Sequence, residues 1–391
     1  MRIAVISSRE YSGGAGVATG RICQGLSSVG HEVHRLVEVK DCTNPSGIKY
    51  TARGIVGGKV EAMGRICGIK YSTTSERKRC ARNIRRIISE IKPDVINIHG
   101  FNEWSEPGIP RRLAAELTEI APVMWTLHDM WPLNGMVDYC GEGLGTQMPE
   151  EDNRERDALM KAGGKLVMAS PSKWLAGIAR KHFENRIPMH QLPNGVNTRI
   201  FKPMDKAVAR DMLGIPAQSP CLLAVADRLD ASRKGMDILV AALSYLPGNI
   251  TLGLVGDAFP PAVDDRIIML GRINDERLLR AAYSSADVVV VPSRLDNLPN
   301  IMIESLACGT PLAGFHVGGL PDAIRPDCTG ALAEPYDPKS LADAIRHVLR
   351  HGEAMRGMCR KIAETEYSLD AVAKRYTEVL QSLVSSPLIG R

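Results

Sequence analysis

Short runs rich in β-branched and aliphatic residues recur along this chain, each followed by a loop and a helical pattern. The first series is Arg2–Ser7, Glu32–Val39, Val95–His99, Val123–His128, Leu166–Ser170 and Met189–Pro193. The second is Leu222–Ala226, Thr251–Val255, Ile267–Leu270, Val288–Val291, Leu312–Phe315 and Ala331–Ala333. Strands separated by helices pair in parallel, because a parallel connection needs a crossover long enough to hold a helix. Between the series lies the turn-rich stretch Asn194-Gly-Val-Asn-Thr-Arg-Ile-Phe-Lys-Pro203, which breaks the pattern. The expectation is an α/β protein of two wound parallel sheets that face each other across a cleft, with a boundary near 195–210. A chain of 391 residues accommodates two such units.

After the last strand comes an amphipathic pattern with apolar residues at 369, 372, 373, 376, 379, 380 and 383. One face of that helix must be buried. The expected division is 1–200, 201–368, and a terminal segment 369–391 whose helix packs back on the first unit. The tail from Ser385 to Arg391 is expected to fray.

Composition narrows the class. Hydrophobic residues make up 44% and charged residues 24%, the balance of a soluble globular protein. No apolar run approaches the ~18–20 residues that span a bilayer. The N-terminus reads as a strand rather than a signal peptide, so a cytoplasmic location is expected. Nine scattered cysteines, odd in number and without a C-x-x-C pair, read as buried thiols. No zinc-ligand spacing is evident, and no metal is expected.

Charge is unevenly placed. Between Arg53 and Asp94 there are eleven Lys/Arg and four acids. Within it, residues 76–91 carry Ile84, Ile87, Ile88 and Ile91 at helical spacing amid basic residues. The plain reading is a solvated helix face. The sharper one is a peripheral contact with an anionic membrane through Arg77, Lys78, Arg79, Arg82, Arg85 and Arg86, each worth about 1 kcal/mol near the lipid. No aromatic residues interleave with this charge, which argues against nucleic acid.

Polar groups cluster where strands end, and open α/β sheets bind ligands at those ends. Ser12-Gly13-Gly14-Ala15-Gly16 follows the first strand, where glycine lets backbone N–H groups approach a phosphate. Glu38, 22 residues after Gly16, suits a ribose-binding acid, so a nicotinamide enzyme is open on these residues, as is a plain turn. Arg228 and Lys234 flank the loop after Leu222–Ala226, where two cations would neutralise a diphosphate or merely decorate the surface. His128 and His99 each end a strand; His128 adjoins Asp129, with Asp138, Tyr139 and Cys140 in the loop beyond. The stretch from Asp287 to Pro311 reads as strand, loop, helix and turn, with Asp296 and Glu304 flanking the loop and the first helical turns. Carboxylates there would accept hydrogen bonds from sugar hydroxyls. Gly318-Gly319 after the next strand allows close backbone approach or forms a simple turn.

Together these residues resemble the retaining glycosyltransferases of family 4, over nearly the whole chain. The resemblance implies the GT-B fold: a Rossmann-like acceptor domain and a Rossmann-like nucleotide-sugar donor domain across a cleft. Arg228 and Lys234 match the family's basic pair on the donor diphosphate, and Asp296 and Glu304 its E-x7-E positions, with Glu304 on the ribose. Gly13 and Gly14 match the glycine loop, His128 the histidine near the donor sugar, and Asn194-Gly195-Val196 with Phe201 and Pro203 the linker. Further donor contacts are implied at Asn194, Gly256, Arg272, Leu298, Pro299, Asn300 and Ile301. Two departures stand out: Asp296 is one methylene shorter than the usual Glu, and Asn-Leu-Pro replaces Pro-Phe-Gly after it. The Asp-Asn-Leu-Pro loop is similar to a branch that resembles colanic-acid and other exopolysaccharide transferases.

The resemblance implies transfer of a sugar from a UDP- or GDP-sugar to a glycan, lipid-linked at the inner membrane face, in bacterial surface-polysaccharide synthesis. It implies no metal, and the chain has no Asp-x-Asp. A nicotinamide oxidoreductase using Gly13–Gly16, or a non-catalytic nucleotide-binding homologue, are the alternatives.

Overall fold

The computed structural model describes residues 1–11, 13–39, 47–49, 74–100, 110–134, 139–140, 153–258 and 264–385. Ser12, Asp138, the basic residues of 53–70 and the tail beyond Ser385 lie outside the described residues, as do the side chains of Glu38 and Arg77.

Among the described residues the first sheet holds seven strands: β1 Arg2–Arg9, β2 Glu32–Val39, β3 Gly47–Lys49, β4 Val95–Ile98, β5 Val123–Thr126, β6 Leu166–Ser170 and β7 Met189–Gln191. Their order is β3-β2-β1-β4-β5-β6-β7, parallel throughout. The second, again among the described residues, holds six: β8 Cys221–Arg228, β9 Thr251–Asp257, β10 Ile267–Gly271, β11 Val288–Val291, β12 Leu312–Phe315 and β13 Gly330–Ala333. Their order is β10-β9-β8-β11-β12-β13, again parallel. Each sheet winds outward both ways from its first strand. The crevices between β1 and β4, and between β8 and β11, are therefore topological switch points, where loops diverge and leave room for a ligand.

The sheets are buried on both faces, and that is why their central strands are continuous apolar runs. Val288 to Val291 are all 0% exposed. Edge strand β3, three residues with no room for periodicity, has no counterpart among the sequence expectations.

The helix Leu369–Ser385 lays Val372, Tyr376, Leu380 and Leu383 onto Ile22, Cys23 and Leu26 of the helix Gly13–Ser28 and onto Ile3 and Val5 of β1. The chain thus passes between layers twice, at residues 192–205 and 363–368. The two passages are joined: Val196 N–H donates to Tyr367 C=O at 2.8 Å, and Val196 bridges Ser368. The basic helix Thr74–Ile91 buries Ile84 and Ile88 fully against the first sheet's core.

Candidate active site between the two sheets

The loops after β8 and β11 are pinned to each other. Gly235 ends the short turn Ser232–Lys234 at φ +64°, and a Cβ there would stand 2.0 Å from the Pro292 oxygen. Only glycine satisfies both conditions. Arg294 N–H also donates to Arg233 C=O at 2.8 Å. This holds Lys234 Nζ 2.7 Å and Arg233 Nη1 2.8 Å from Asp296 Oδ2. Burial alone would raise the Asp296 pKa, but the two cations outweigh it and hold the carboxyl at about 2. Burial in turn pushes the Lys234 ammonium down. The Arg233 guanidinium lies over the Tyr139 ring at 4.4 Å, and Tyr139 Oη donates to Asp296 Oδ1 at 3.4 Å and to His128 C=O at 3.2 Å. Arg233 carries no motif of its own in the sequence.

Arg228 stands elsewhere. Its side chain is 68% exposed and forms a fork with Asp230 at 3.0 and 2.6 Å. Arg272 pairs with Asp227 at 2.6 Å and Asp257 at 2.9 Å, and Gly256 packs against the Ala226 oxygen. These form an exposed charged group at the ends of β8, β9 and β10.

The helix Asn300–Ala307 opens after Pro299 and buries Glu304, 4% exposed, on its inner face. Both carboxylate oxygens are engaged: Oε1 accepts from Arg21 Nη1 at 2.7 Å, and Oε2 from Tyr283 Oη at 2.7 Å. Arg21, from the opposite layer, also meets Glu276 at 2.8 Å and covers the Phe201 ring at 5.1 Å.

A polar seam closes the rest. Asn300 Nδ2 donates to Gly14 C=O at 2.9 Å, and Asn194 Nδ2 donates to Leu298 C=O at 3.0 Å and to Asn300 Oδ1 at 3.2 Å. Ile301 packs partly buried beneath. Asn297 Nδ2 donates to Leu127 C=O at 3.0 Å and His128 C=O at 3.1 Å, and its Oδ1 accepts from Ser172. Gly319 makes room for this loop, since a Cβ there would lie 1.8 Å from the Asn297 oxygen. Gly14, Asn194, Leu298 and Asn300 are therefore joined by hydrogen bonds, with Gly13 next to Gly14 in the chain, while Asp296 meets Lys234 and, through Tyr139, the His128 carbonyl. Asn297, which begins the Asn-Leu-Pro segment, and Ser172, which no motif singled out, tie the two layers together.

In the first layer a cavity is lined by Ser7, Arg9, Thr19, His99, His128 and Trp131, at the β1/β4 switch point. Burial pushes the His128 pKa down to about 4, and that of His99 well below the ordinary histidine range. Among the described residues no group of three or more His, Cys, Asp or Glu is arranged to hold a metal. One histidine pair at helical spacing, not anticipated, does occur: His347 and His351 on the helix Pro338–Ile362, with His347 bonded to Asp327 at 2.8 Å.

The sequence profile of Glycosyltransferase Family 4 matches residues 12–200, and that of Glycosyl transferases group 1 matches residues 219–351. A D-inositol 3-phosphate glycosyltransferase of Xylanimonas cellulosilytica is 30% identical over 258 residues, 61% of this chain and 60% of that protein. One from Mycobacterium tuberculosis is 25% identical over 402 residues, 97% of this chain and 81% of that protein. In the first three relatives of this name the matched part spans 60, 52 and 50% of the relative's length. Among solved structures, sucrose-phosphate synthase from Thermosynechococcus elongatus superposes with a TM-score of 0.75 at 22% identity, covering 98% of this chain and 99% of that one. Anabaena HepE in complex with UDP-glucose gives 0.67 at 16% identity, covering 98% and 100%. Glycosyltransferase profiles match on either side of residue 200, and the two-sheet architecture shared from end to end with these structures is the GT-B fold.

Proposed function

We propose that this protein transfers a sugar from a nucleotide-diphosphate donor to an acceptor hydroxyl, with retention and without a metal. The observation that carries this reading is Asp296, ionised and buried between Lys234 and Arg233 where the two layers face each other. When a donor enters, its diphosphate replaces Asp296 as partner of these cations. Fixed cations in a water-poor cleft stabilise a leaving diphosphate without reorganisation, each contributing a few kcal/mol at the transition state. Asp296 is then free to accept from sugar hydroxyls, and Glu304 from the ribose. Arg228, exposed on the rim, serves the diphosphate only if it leaves Asp230.

UDP and GDP are the nucleotides proposed; the complex of HepE with UDP-glucose supports the first. The proposed acceptor is a lipid-linked glycan of a surface polysaccharide, seated in the cavity beside His128. The names of the relatives favour a second reading, in which the acceptor is a cyclitol phosphate. The nicotinamide alternative finds no support in the family matches.

A peripheral membrane contact is proposed through Lys78, Arg79 and Arg82, which project from the basic helix. Arg85 and Arg86 are less available: Arg85 pairs with Glu116 at 3.2 Å and Glu119 at 2.9 Å, and Arg86 with Glu90 at 2.6 Å. Among the described residues no helix is long and apolar enough to cross a membrane.

The test is a screen of UDP- and GDP-sugars for release of nucleotide diphosphate and for thermal stabilisation. A ligand bound only by the folded state adds about 2.7 kcal/mol at 100 times its Kd. Stabilisation by NAD, with none by either nucleotide diphosphate, would overturn the proposal.

A further inference from the structure

Three buried polar side chains and the half-buried His128, on neighbouring strand ends, form a single hydrogen-bonded line into the cavity. Thr126 Oγ1 donates to Asn97 Oδ1 at 3.2 Å. Asn97 Nδ2 lies 2.9 Å from His99 Nε2, and His99 Nδ1 lies 2.9 Å from His128 Nε2. Asn97 and Thr126 are 0% exposed and His99 is 4% exposed. The His99 ring centroid lies 5.2 Å from that of His128, which it meets edge to edge, and 6.4 Å from that of Tyr376 of the last helix.

The line has a direction. In the structure Asn97 turns its Oδ1 to the Thr126 hydroxyl and its NH2 group to His99. An amide NH2 only donates, so His99 Nε2 must hold a lone pair and the ring's proton must sit on Nδ1. That N–H points at His128 Nε2, which must therefore also hold a lone pair. The His128 proton is left on Nδ1, the nitrogen that the line does not use. A free imidazole side chain favours the opposite tautomer, with the proton on Nε2. The His128 main chain is held separately, by Asn297 and Tyr139 on its carbonyl.

We propose that Asn97 and His99 are positioning residues that hold His128 as the Nδ1–H tautomer, making it a hydrogen-bond donor to a substrate oxygen in the cleft. In this form neither nitrogen is available as a base: one lone pair is occupied and the other nitrogen carries the proton. Deprotonation of the acceptor is then left to groups outside His128. This inference rests on the proposed transferase for its consequence, but its chemistry is readable without substrate.

The experiment is long-range 1H–15N correlation on histidine-labelled full-length protein at neutral pH, with His128 assigned by its loss in His128→Gln. The expected spectrum shows both His99 and His128 as Nδ1–H. Asn97→Asp presents only lone pairs to His99 Nε2. At pH 9, where the imidazoles are neutral, it should flip His99 and with it His128 to Nε2–H. The kcat of that variant should fall about tenfold or more, as for one lost hydrogen bond, while the nucleotide Kd stays unchanged. A wild-type His128 in the Nε2–H form overturns the proposal whether or not the variant folds, as does a His128 left as Nδ1–H in Asn97→Asp. If the tautomers are as expected and no nucleotide sugar is turned over, the positioning stands and the proposed transferase activity falls.

Discussion

Arg21 and Glu304, 283 positions apart in the chain, meet at 2.7 Å across the cleft, both nearly inaccessible to water. The pair ties the first helix of one layer to the helix that follows β11 in the other. It also occupies the carboxylate that the family resemblance assigns to the ribose.

Removing one partner of a buried pair leaves a charge without compensation, at a cost of about 3–5 kcal/mol. Arg21→Ala should therefore lower the midpoint of thermal unfolding clearly. Because a ribose would offer Glu304 new donors, a saturating nucleotide diphosphate should recover more stability in the variant than in the wild type. Differential scanning fluorimetry with and without nucleotide measures both. Equal recovery in the two proteins would separate Glu304 from the ribose.

Lys234→Ala should lower turnover about 100-fold, the scale of losing one preorganised donor. Arg233→Ala should do nearly as much, since both cations share Asp296. Arg228→Ala should matter far less, given its exposed fork with Asp230. Steady-state kinetics on the three variants rank them. An Arg228→Ala defect equal to that of Lys234→Ala would mean that Arg228 swings inward when the donor binds.

Acid should weaken the fold in two stages. His99 and His128 have folded pKa values depressed below their unfolded value near 6.5, so the unfolded state binds more protons below that pH. Their contribution is complete above 6.5 and is lost as pH falls toward 4. Asp296, depressed from 3.8 to about 2, contributes fully above 3.8 and loses its share between 3.8 and 2. Urea midpoints measured from pH 8 to pH 4 should fall below 6.5. A shallower profile in His99→Gln than in wild type, with the remaining slope left by His128, would locate the effect.

Turnover should be unchanged after dialysis against EDTA, since the proposed leaving-group stabilisation comes from Lys234 and Arg233. Loss of activity restored by a divalent cation would contradict the metal-free reading.

Liposomes rich in anionic lipid should retain the wild-type protein and release a Lys78→Glu/Arg79→Glu/Arg82→Glu variant, while its turnover of a soluble acceptor is preserved. Cosedimentation at two salt concentrations measures this, because exposed charges lose their reach within a Debye length of about 8–10 Å. Equal cosedimentation would return the helix to a merely solvated face.

Much of this architecture is legible in the sequence because burial on both faces leaves little ambiguity. A run such as Val288–Val291 suits only the inside of a covered sheet. Strand β3 escapes because three edge residues carry no period. In the site, Asp296 and Glu304 are legible from their positions around a strand-to-helix loop, and Lys234 from its place before a glycine. Which of two neighbouring cations turns inward is not legible. Arg228 and Arg233 are alike by composition, and the ties of the loop to Pro292 and Arg294 aim Arg233 at Asp296. Arg21 is less visible still. Nothing local marks a helical arginine whose partner is 283 residues away. The same holds for Asn97, whose role depends on a threonine one strand over.

The chain passes between its layers twice, and Val196 and Tyr367 fasten the two passages together. A single tether would let one half swivel and slide over the other. Two tethers joined at one seam leave little beyond rotation about that seam. A rotation about that seam would return Asn300 to Gly14 and Asn297 to the end of β5 in the same register. For the proposed transferase, the alignment of donor to acceptor would thus be carried in the backbone's path rather than rebuilt by the substrates.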